Sequence, residues 1–376
     1  MPDAIVCGAG AAGLATAAML GRAGVATTVL ERSDRVGASW RGRYDGLRLN
    51  TAGWMSTMPG YRATRRRYGE YPSRDSWIRY LEDYAAHHAI TVRFDTIARA
   101  VRRSGNAWMV DVGNEVLTAK YVVVAIGYDH DPFLPDWPGR DSFVGELIHS
   151  SAYRSPTVYQ GRDVLVVGPG TTGSEVASHI AHAGAKQVRM ACRTPPNITA
   201  RKFMGLSINI PGALFDHLPS AFGDQAGRIS QRIIAGNLDR YGLGRAPYGV
   251  ATALRKHHTT PAYNDGFVDD LKAGRIEVVP AVVGFDQANV VLADQRRIQP
   301  DVVIAATGYR RGLDSLVGDL GILDDDGIPL VSGGSQHPSA PGLFFNGYRA
   351  LLSGQLRPMR FDARSIAAAV RRDTTT

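Results

Sequence analysis

Short, wholly apolar runs alternate with glycine-rich breaks along this chain. Residues 3–7 read as a buried strand, because Ala4, Ile5, Val6 and Cys7 carry no polar interruption. Gly8 to Gly13 form a glycine-rich turn, 14–23 a helix with Gly24 as its C-terminal cap, and Thr27–Leu30 a β-branched strand. A stretch rich in Gly, Pro and Arg follows over 33–71 and reads as loop. Ser73 is placed as a helix N-cap, and Trp77, Ile78, Leu81, Tyr84 and Ala85 recur at helical spacing up to His88. Residues 91–125 read as short strands broken at Ser104-Gly105-Asn106 and Gly113-Asn114, the last of them, 121–125, continuously apolar.

The plan then repeats. A strand over 164–167, a second glycine turn from Gly168 to Gly173, a helix over 174–183 capped by Gly184, and the strand Gln187–Cys192 copy the first unit. Short strands at 276–279, 281–285 and 290–292 lead to the apolar run Val302–Ala305. Residues 200–260 match neither copy and hold helical-looking pieces. A strand–turn–helix–strand repeat of this kind implies an α/β fold with two nucleotide-binding modules.

The bulk numbers narrow the class. The chain has 376 residues, 44% hydrophobic and 21% charged, enough for a sizeable core and more than one domain. Its two cysteines, Cys7 and Cys192, stand far apart in apolar runs, with no CxxC and no Cys/His cluster of metal spacing. A disulfide scaffold and a metal site are therefore not expected, and both cysteines read as small buried hydrophobes. Neither a targeting segment nor an apolar anchor is evident, so a soluble cytoplasmic protein is expected, with no membrane partner. The net charge of +8, from 43 basic and 35 acidic residues, suits anionic ligands such as nucleotide phosphates. The dense run Arg62, Arg65, Arg66, Arg67 reads as a solvated loop rather than a nucleic-acid contact.

Both glycine turns carry chemistry. In Gly8-Ala9-Gly10-Ala11-Ala12-Gly13 the first glycine permits the tight turn, Gly10 lets a pyrophosphate approach the backbone, and Gly13 lets helix and strand pack closely. The phosphates then meet the free N–H groups of a helix N-terminus. Glu31 ends the second strand, where a carboxylate binds the ribose hydroxyls of an adenosine. Gly168-Pro169-Gly170-Thr171-Thr172-Gly173 has the same spacing, but its second strand ends at Arg193-Thr194. A guanidinium at that corner favours a 2′-phosphate, hence NADP rather than NAD. Taken singly, Glu31 is also what a surface carboxylate looks like and Arg193 a surface cation; the paired contexts carry the reading.

Further segments give a resemblance. Phe143-Val144-Gly145-Glu146-Leu147-Ile148-His149-Ser150-Ser151-Ala152-Tyr153 matches the FxGxxxHxxx(Y/F) pattern of the class B flavoprotein monooxygenases, in the flavin-containing monooxygenase family. Thr307-Gly308-Tyr309 closes a strand as the family's ATGY signature does, and Ala125-Ile126-Gly127 is its counterpart in the first module. Val36-Gly37-Ala38-Ser39-Trp40 resembles the family's GGxW flavin loop, with Ala38 in place of a glycine. Leu47-Arg48-Leu49-Asn50-Thr51, Gly342-Leu343-Phe344-Phe345-Asn346-Gly347 and Ser353-Gly354-Gln355-Leu356 resemble segments that approach the flavin. Gly242-Leu243, Thr260-Pro261, Asp265-Gly266 and Gly274-Arg275-Ile276 are similar to the YUCCA-like subgroup. The likeness covers nearly the whole chain. Tyr153-Arg154 replaces the Trp followed by Pro or Asp of Baeyer–Villiger members, which argues against lactone or ester formation.

The resemblance implies two Rossmann-like domains, an FAD domain interrupted by an NADPH domain: 1–157, then 158–308 with a helical insertion near 200–260, then a return segment over 309–376. It implies FAD and NADPH/NADP+ as cofactors, O2 and a small molecule as substrates, and oxygen insertion through a flavin C4a-(hydro)peroxide, at N, S or a carbonyl such as that of a 2-oxo acid. Cofactor contacts are expected at Gly8, Gly10, Ala11, Ala12, Gly13, Glu31, Arg32, Ser39, Trp40, Leu49 and Asn50. On the second nucleotide they are expected at Gly168, Gly170, Thr171, Thr172, Gly173, Arg193, Thr194, Thr307 and Gly308, and Leu356 belongs to the return. Asn50 is expected to hydrogen-bond near the reactive face of the flavin, although a plain turn asparagine reads the same. His149 is expected to hold the NADP-bound arrangement, or to be a satisfied structural histidine. Gln355 faces the flavin or NADP, or caps a helix beginning near Arg360. Two rivals remain: a flavoprotein reductase passing electrons to a protein partner, and a non-catalytic nucleotide sensor. Oligomeric state is left open.

Overall fold

The computed structural model describes residues 2–375. Backbone contacts divide the chain into two compact units. One takes the residues up to Asp131, Tyr309–Arg349 and those from Gly354 onward; the other takes Pro132–Gly308 and Ala350–Ser353.

In the first unit, strand β1 (Ala4–Cys7), helix α1 (Ala11–Arg22) and strand β2 (Thr27–Leu30) follow one another as the apolar pattern predicts. β1 is central because every residue of it is buried. It pairs in parallel with β2 and with Tyr121–Val124, the sheet continuing to Val92–Arg93 on one side and Leu343–Phe345 on the other. A parallel sheet must be covered on its faces. α1 packs on the C-terminal helix Leu356–Thr375, and Arg74–His87 adds an aromatic layer in which Trp77 stacks on Tyr80 at 4.8 Å. Ser73 caps that last helix, its Oγ accepting the Ser76 N–H at 3.2 Å.

The second unit repeats the module with strand β3 (Asp163–Val167), helix α2 (Thr171–His182) and strand β4 (Gln187–Cys192). Its parallel sheet runs Glu277–Pro280, β4, β3, Val302–Ala305, Glu146–His149. The last pairing explains why the units part after Asp131, where the sequence drew a boundary at 157: the ladder from Glu146 to His149 commits the whole stretch from Pro132 to the second unit.

Three local expectations shift. Both module helices begin three residues earlier than expected, because the second half of each glycine turn is already the first helical turn. The basic run is a helical turn, Arg65–Tyr68, in which Arg65 pairs with Glu70 at 3.4 Å and Arg67 with Asp83 at 2.8 Å. Tyr68 is buried, and that anchor fixes the segment that charge alone would leave loose. The 200–260 insertion contains helices α3 (Asn209–Phe215), α4 (Ser220–Ile234) and α5 (Val250–His257).

Candidate functional site: two nucleotide cradles

The first glycine turn is shaped by what its residues exclude. Gly8 adopts φ +108°, and a side-chain carbon there would lie 2.5 Å from the Ala125 carbonyl oxygen. One on Gly13 would sit 1.8 Å from the Gly8 carbonyl, so strand and helix touch through backbone alone. One on Gly10 would meet nothing within 4 Å. Gly10 is also the N-cap of α1, with no side-chain cap and no acidic residue in the first turn. The turn therefore offers free N–H groups, a favourable dipole and open space in one place, which suits a diphosphate. Ala11 and Ala12 are buried in that first helical turn.

Glu31 is buried at the end of β2. Its Oε2 accepts the Ala9 N–H at 2.8 Å, and Oε1 accepts the Ser33 N–H and hydroxyl, both at 3.1 Å. A carboxylate can accept about four hydrogen bonds. One direction thus stays open for a ribose hydroxyl beside the turn. Arg32 is exposed, its Nη1 3.4 Å from His130 Nε2.

The remaining first-unit residues lie on segments held by backbone contacts, one of them to this turn. The Gly37 N–H donates to Ala9 O at 3.1 Å and brings the short helix Ala38–Arg41 alongside, with Ser39 exposed and Trp40 half-buried, edge-on to Trp77. The Leu49 N–H donates to Pro72 O at 2.8 Å, which seats buried Leu49 and half-buried Asn50. Gly354, at φ +97°, lies so close to Thr51 that a side-chain carbon would be 2.8 Å from Thr51 Oγ1, and Gln355 follows it. The C-terminal helix begins at Leu356, which is buried, and not near Arg360. That places Gln355 just ahead of its first turn, and the Gln355 amide hydrogen-bonds nothing among the described residues.

The second turn reproduces the geometry. Gly168 has φ +108°, with Ala306 O 2.6 Å from an added carbon; Gly173 approaches Gly168 O at 1.9 Å; Gly170 faces open space. Thr171 Oγ1 donates to Pro261 O at 3.1 Å, and Thr172 is half-buried beside it. Arg193 and Thr194 are exposed at the end of β4, and neither side chain has a hydrogen-bond or ionic partner among the described residues. An unpaired guanidinium is the state expected of a phosphate ligand.

His149 is a clasp. The Ser151 N–H donates to Nδ1 at 3.1 Å, so Nδ1 is an acceptor and Nε2 carries the proton that goes to Gly308 O at 3.0 Å. Gly308 O also accepts the Phe133 N–H at 3.0 Å, while Thr307 Oγ1 donates to Phe133 O. The signature histidine thereby ties the start of the second unit to the ATGY strand end.

Some residues were not singled out from sequence. Asn346 is buried, and its Nδ2 donates to Thr16 Oγ1 at 2.9 Å, Met359 O at 3.1 Å and Ala12 O at 3.3 Å. Its Oδ1 is buried with no donor among the described residues, a gap that a bound group beside the first turn would close. The signal was present in the quoted 342–347 segment. Arg43 reaches Asp129 at 2.7 Å and the Tyr309 hydroxyl at 3.0 Å. Asp216 accepts from the Leu352 N–H at 2.8 Å and the Ser353 hydroxyl at 2.5 Å. Pairs so distant in sequence leave no local pattern.

Both cysteines are free thiols. Burial pushes the Cys7 thiol up to about 12 and the Cys192 thiol up to about 11. Cys192 is half-buried rather than enclosed, because it ends an exposed strand tip. No group of metal-ligating side chains occurs among the described residues, and none of their helices is long and apolar enough to cross a membrane.

Two glycine cradles in one chain, one with a ribose-type carboxylate and the other with an unpaired cation, define a pyridine-nucleotide-dependent flavoprotein oxidoreductase. A family profile described as pyridine nucleotide-disulphide oxidoreductase matches residues 5–209. The rice (Oryza sativa subsp. japonica) indole-3-pyruvate monooxygenase YUCCA1 is 36% identical, over 93% of this chain and 87% of that protein. The probable indole-3-pyruvate monooxygenase YUCCA3 of Arabidopsis thaliana is 32% identical, over 86% and 77%. A variant of the flavin monooxygenase from Stenotrophomonas maltophilia shares the fold with a TM-score of 0.75 at 22% identity, covering 99% of both chains. The chain belongs to the flavin-containing monooxygenase family, in its YUCCA-like branch.

Proposed function

We propose that this NADPH-dependent flavin monooxygenase holds FAD at the first cradle and NADPH at the second, and oxygenates the carbonyl of a 2-oxo acid bearing an aromatic group. The balanced conversion is 2-oxo acid plus O2, NADPH and a proton to the one-carbon-shorter carboxylic acid plus CO2, water and NADP+. The substrate class is supported by the likeness to indole-3-pyruvate monooxygenases, and the cofactor assignment by the two open cradles at Gly10 and Gly170. Bound flavin supplies hydride acceptance and O2 activation, chemistry that no side chain offers.

The chain's own residues bind and orient. The α1 N-terminus takes the flavin diphosphate and Glu31 the ribose hydroxyls; Ser39, Trp40, Leu49 and Leu356 flank the cofactor. Arg193, with Thr194, takes the 2′-phosphate of NADPH. The amides of Asn50 and Gln355 act as hydrogen-bonding groups near the reacting carbonyl, and His149 keeps the NADP side assembled through Gly308. A cytoplasmic location belongs to the same proposal.

The carrying observation is the family-level identity across nearly the full chain. The test is turnover of purified, FAD-loaded enzyme with NADPH, isotopically heavy O2 and aromatic 2-oxo acids, read by mass spectrometry. One heavy oxygen per carboxylic acid is expected. Full conversion of O2 to hydrogen peroxide, whatever 2-oxo acid is offered, would move the assignment to an electron-transferring reductase, and no oxidation of NADPH would move it to a sensor.

A further inference from the structure

Exposed apolar side chains gather in the 200–260 insertion. Seven of the seventeen large hydrophobic residues exposed among the described ones fall between Met204 and Ile233. Single exposed apolar residues are ordinary, but a cluster marks an interaction surface. Its layout follows from the elements. Lys202–Phe203 pairs antiparallel with Leu206–Ser207, and this hairpin carries Met204 at its tip, 88% exposed, with Leu206 beside it. α3 adds Ile210 and Leu214, one turn apart. α4 adds Phe222, Ile229 and Ile233, which with Ala226 form one stripe at helical spacing.

These residues stand as two lips around a recess. A cavity of about 230 Å³ opens between α3 and α4, because the residues that α4 turns into it, Gly223, Ala226, Gly227 and Ser230, are small. Phe203, Pro211 and Phe215 line it from the other lip. Not one Lys, Arg, His, Asp or Glu lines it, so an apolar medium can meet it without desolvating a charge.

Charge around the lips is one-sided. Residues 200–260 hold eight Lys and Arg against three Asp. Two of the three acids are used internally. Asp224 is buried and accepts the Ala251 and Thr252 N–H groups at 2.8 and 2.9 Å, and Asp216 accepts the Leu352 N–H and the Ser353 hydroxyl. Arg228 and Arg232 are exposed on α4, each directly preceding an isoleucine of the stripe, and neither has an acidic partner among the described residues. Lys202 is exposed at the base of the hairpin.

An anionic lipid surface fits this face better than a protein does. A second copy of the chain, paired about a two-fold axis, would set the same cations against each other. Protein interfaces are typically anchored by Trp, Tyr and Arg at their centre, whereas the centre here is Met, Leu, Ile and Phe. Aliphatic side chains and Phe beside a cationic flank are what an element lying in the headgroup region carries.

We infer that this face seats the protein on an anionic phospholipid bilayer: the two lips enter the acyl boundary, and Lys202, Arg228 and Arg232 meet headgroup phosphates. The contact is peripheral, since no described helix is long and apolar enough to cross a membrane. It departs from the expectation of no membrane partner, which rested on the lack of an apolar anchor. The inference stands on this surface and does not depend on the oxygenase reading.

The test is cosedimentation of FAD-loaded enzyme with vesicles of phosphatidylcholine alone or of equimolar phosphatidylcholine and phosphatidylglycerol. Each cation at an anionic surface is worth roughly fivefold in affinity, so the wild type should bind the anionic vesicles more than about tenfold tighter than the neutral ones, and less so at high salt. Arg228→Gln combined with Arg232→Gln should abolish that preference. Ile229→Gln combined with Ile233→Gln should weaken binding about tenfold with both cations still present. Both pairs are exposed, so FAD content, Tm and NADPH oxidation should match the wild type. No binding by the wild type, equal binding to the two vesicles, or binding unchanged in either double variant would overturn the lipid assignment. So would tight binding to polyglutamate that survives loss of the isoleucines, which would make the face a site for an acidic protein. A wild-type dimer that the isoleucine variant dissociates would overturn it in favour of a second copy.

Discussion

At the scale of single residues, three positions separate binding from catalysis. Arg193 stands exposed at the distal corner of the second cradle and has no side-chain partner among the described residues. Removing it should cost a charge-assisted contact to phosphate and nothing in the fold. Arg193→Ala is expected to raise the NADPH Michaelis constant at least tenfold and leave that for NADH nearly unchanged; equal effects on the two would remove the 2′-phosphate role. Asn50 follows Leu49, whose N–H is held by the Pro72 carbonyl. Asn50→Ala should retain FAD but release more hydrogen peroxide per NADPH consumed, and unchanged coupling would make Asn50 a turn residue only. Gly13 is the opposite case. An added methyl would lie 1.8 Å from Gly8 O, a clash with backbone that no rotamer relieves. Gly13→Ala is therefore expected to yield flavin-free protein with a lowered Tm, and a variant purifying with full FAD would contradict the close-packed turn.

At the scale of elements, the aromatic helix Arg74–His87 shows how burial and polarity compete. Trp77 is fully buried, packed between Trp40 and Tyr80, but its Nε1–H has no acceptor among the described residues. Trp77→Phe removes that unsatisfied donor with part of the ring, so it should cost under about 1.5 kcal/mol. Trp77→Ala leaves a cavity and should cost about 3–5 kcal/mol. Denaturant melts of the two variants check the ordering, and equal losses would mean that the indole N–H is satisfied in solution. Periodicity found this helix because its buried face repeats at 3.6 residues. It found the module strands because they are continuously apolar. It misplaced the start of the C-terminal helix and read the Arg65–Tyr68 turn as loop. Those segments are ordered by Gly354 against Thr51 and by the burial of Tyr68, contacts that a linear window does not contain.

At the scale of the whole molecule, one cysteine lies in each compact unit, Cys7 in the first and Cys192 in the second. With their thiols pushed up to about 12 and about 11, the thiolate fraction at pH 8 is at most on the order of 0.1%. Folded protein should therefore react slowly with iodoacetamide at pH 8 at both sites. Cys7, which is enclosed, should become reactive only as the first unit opens, so its labelling during heating reports the melting of that unit. Rapid labelling of Cys7 at 25 °C would contradict its enclosure.

The sequence alone determined the repeat, the parallel modules, the two cradles and the family, because glycine spacing and apolar strand runs are local consequences of backbone sterics and burial. Only the tertiary structure decided that His149 bonds to Gly308, that Asn346 supports the first turn, that Asp216 holds the segment before Gln355, and that small residues on α4 leave a cavity. Each of these depends on which distant side chains fill a given volume, and packing at that range leaves no period in the chain to read.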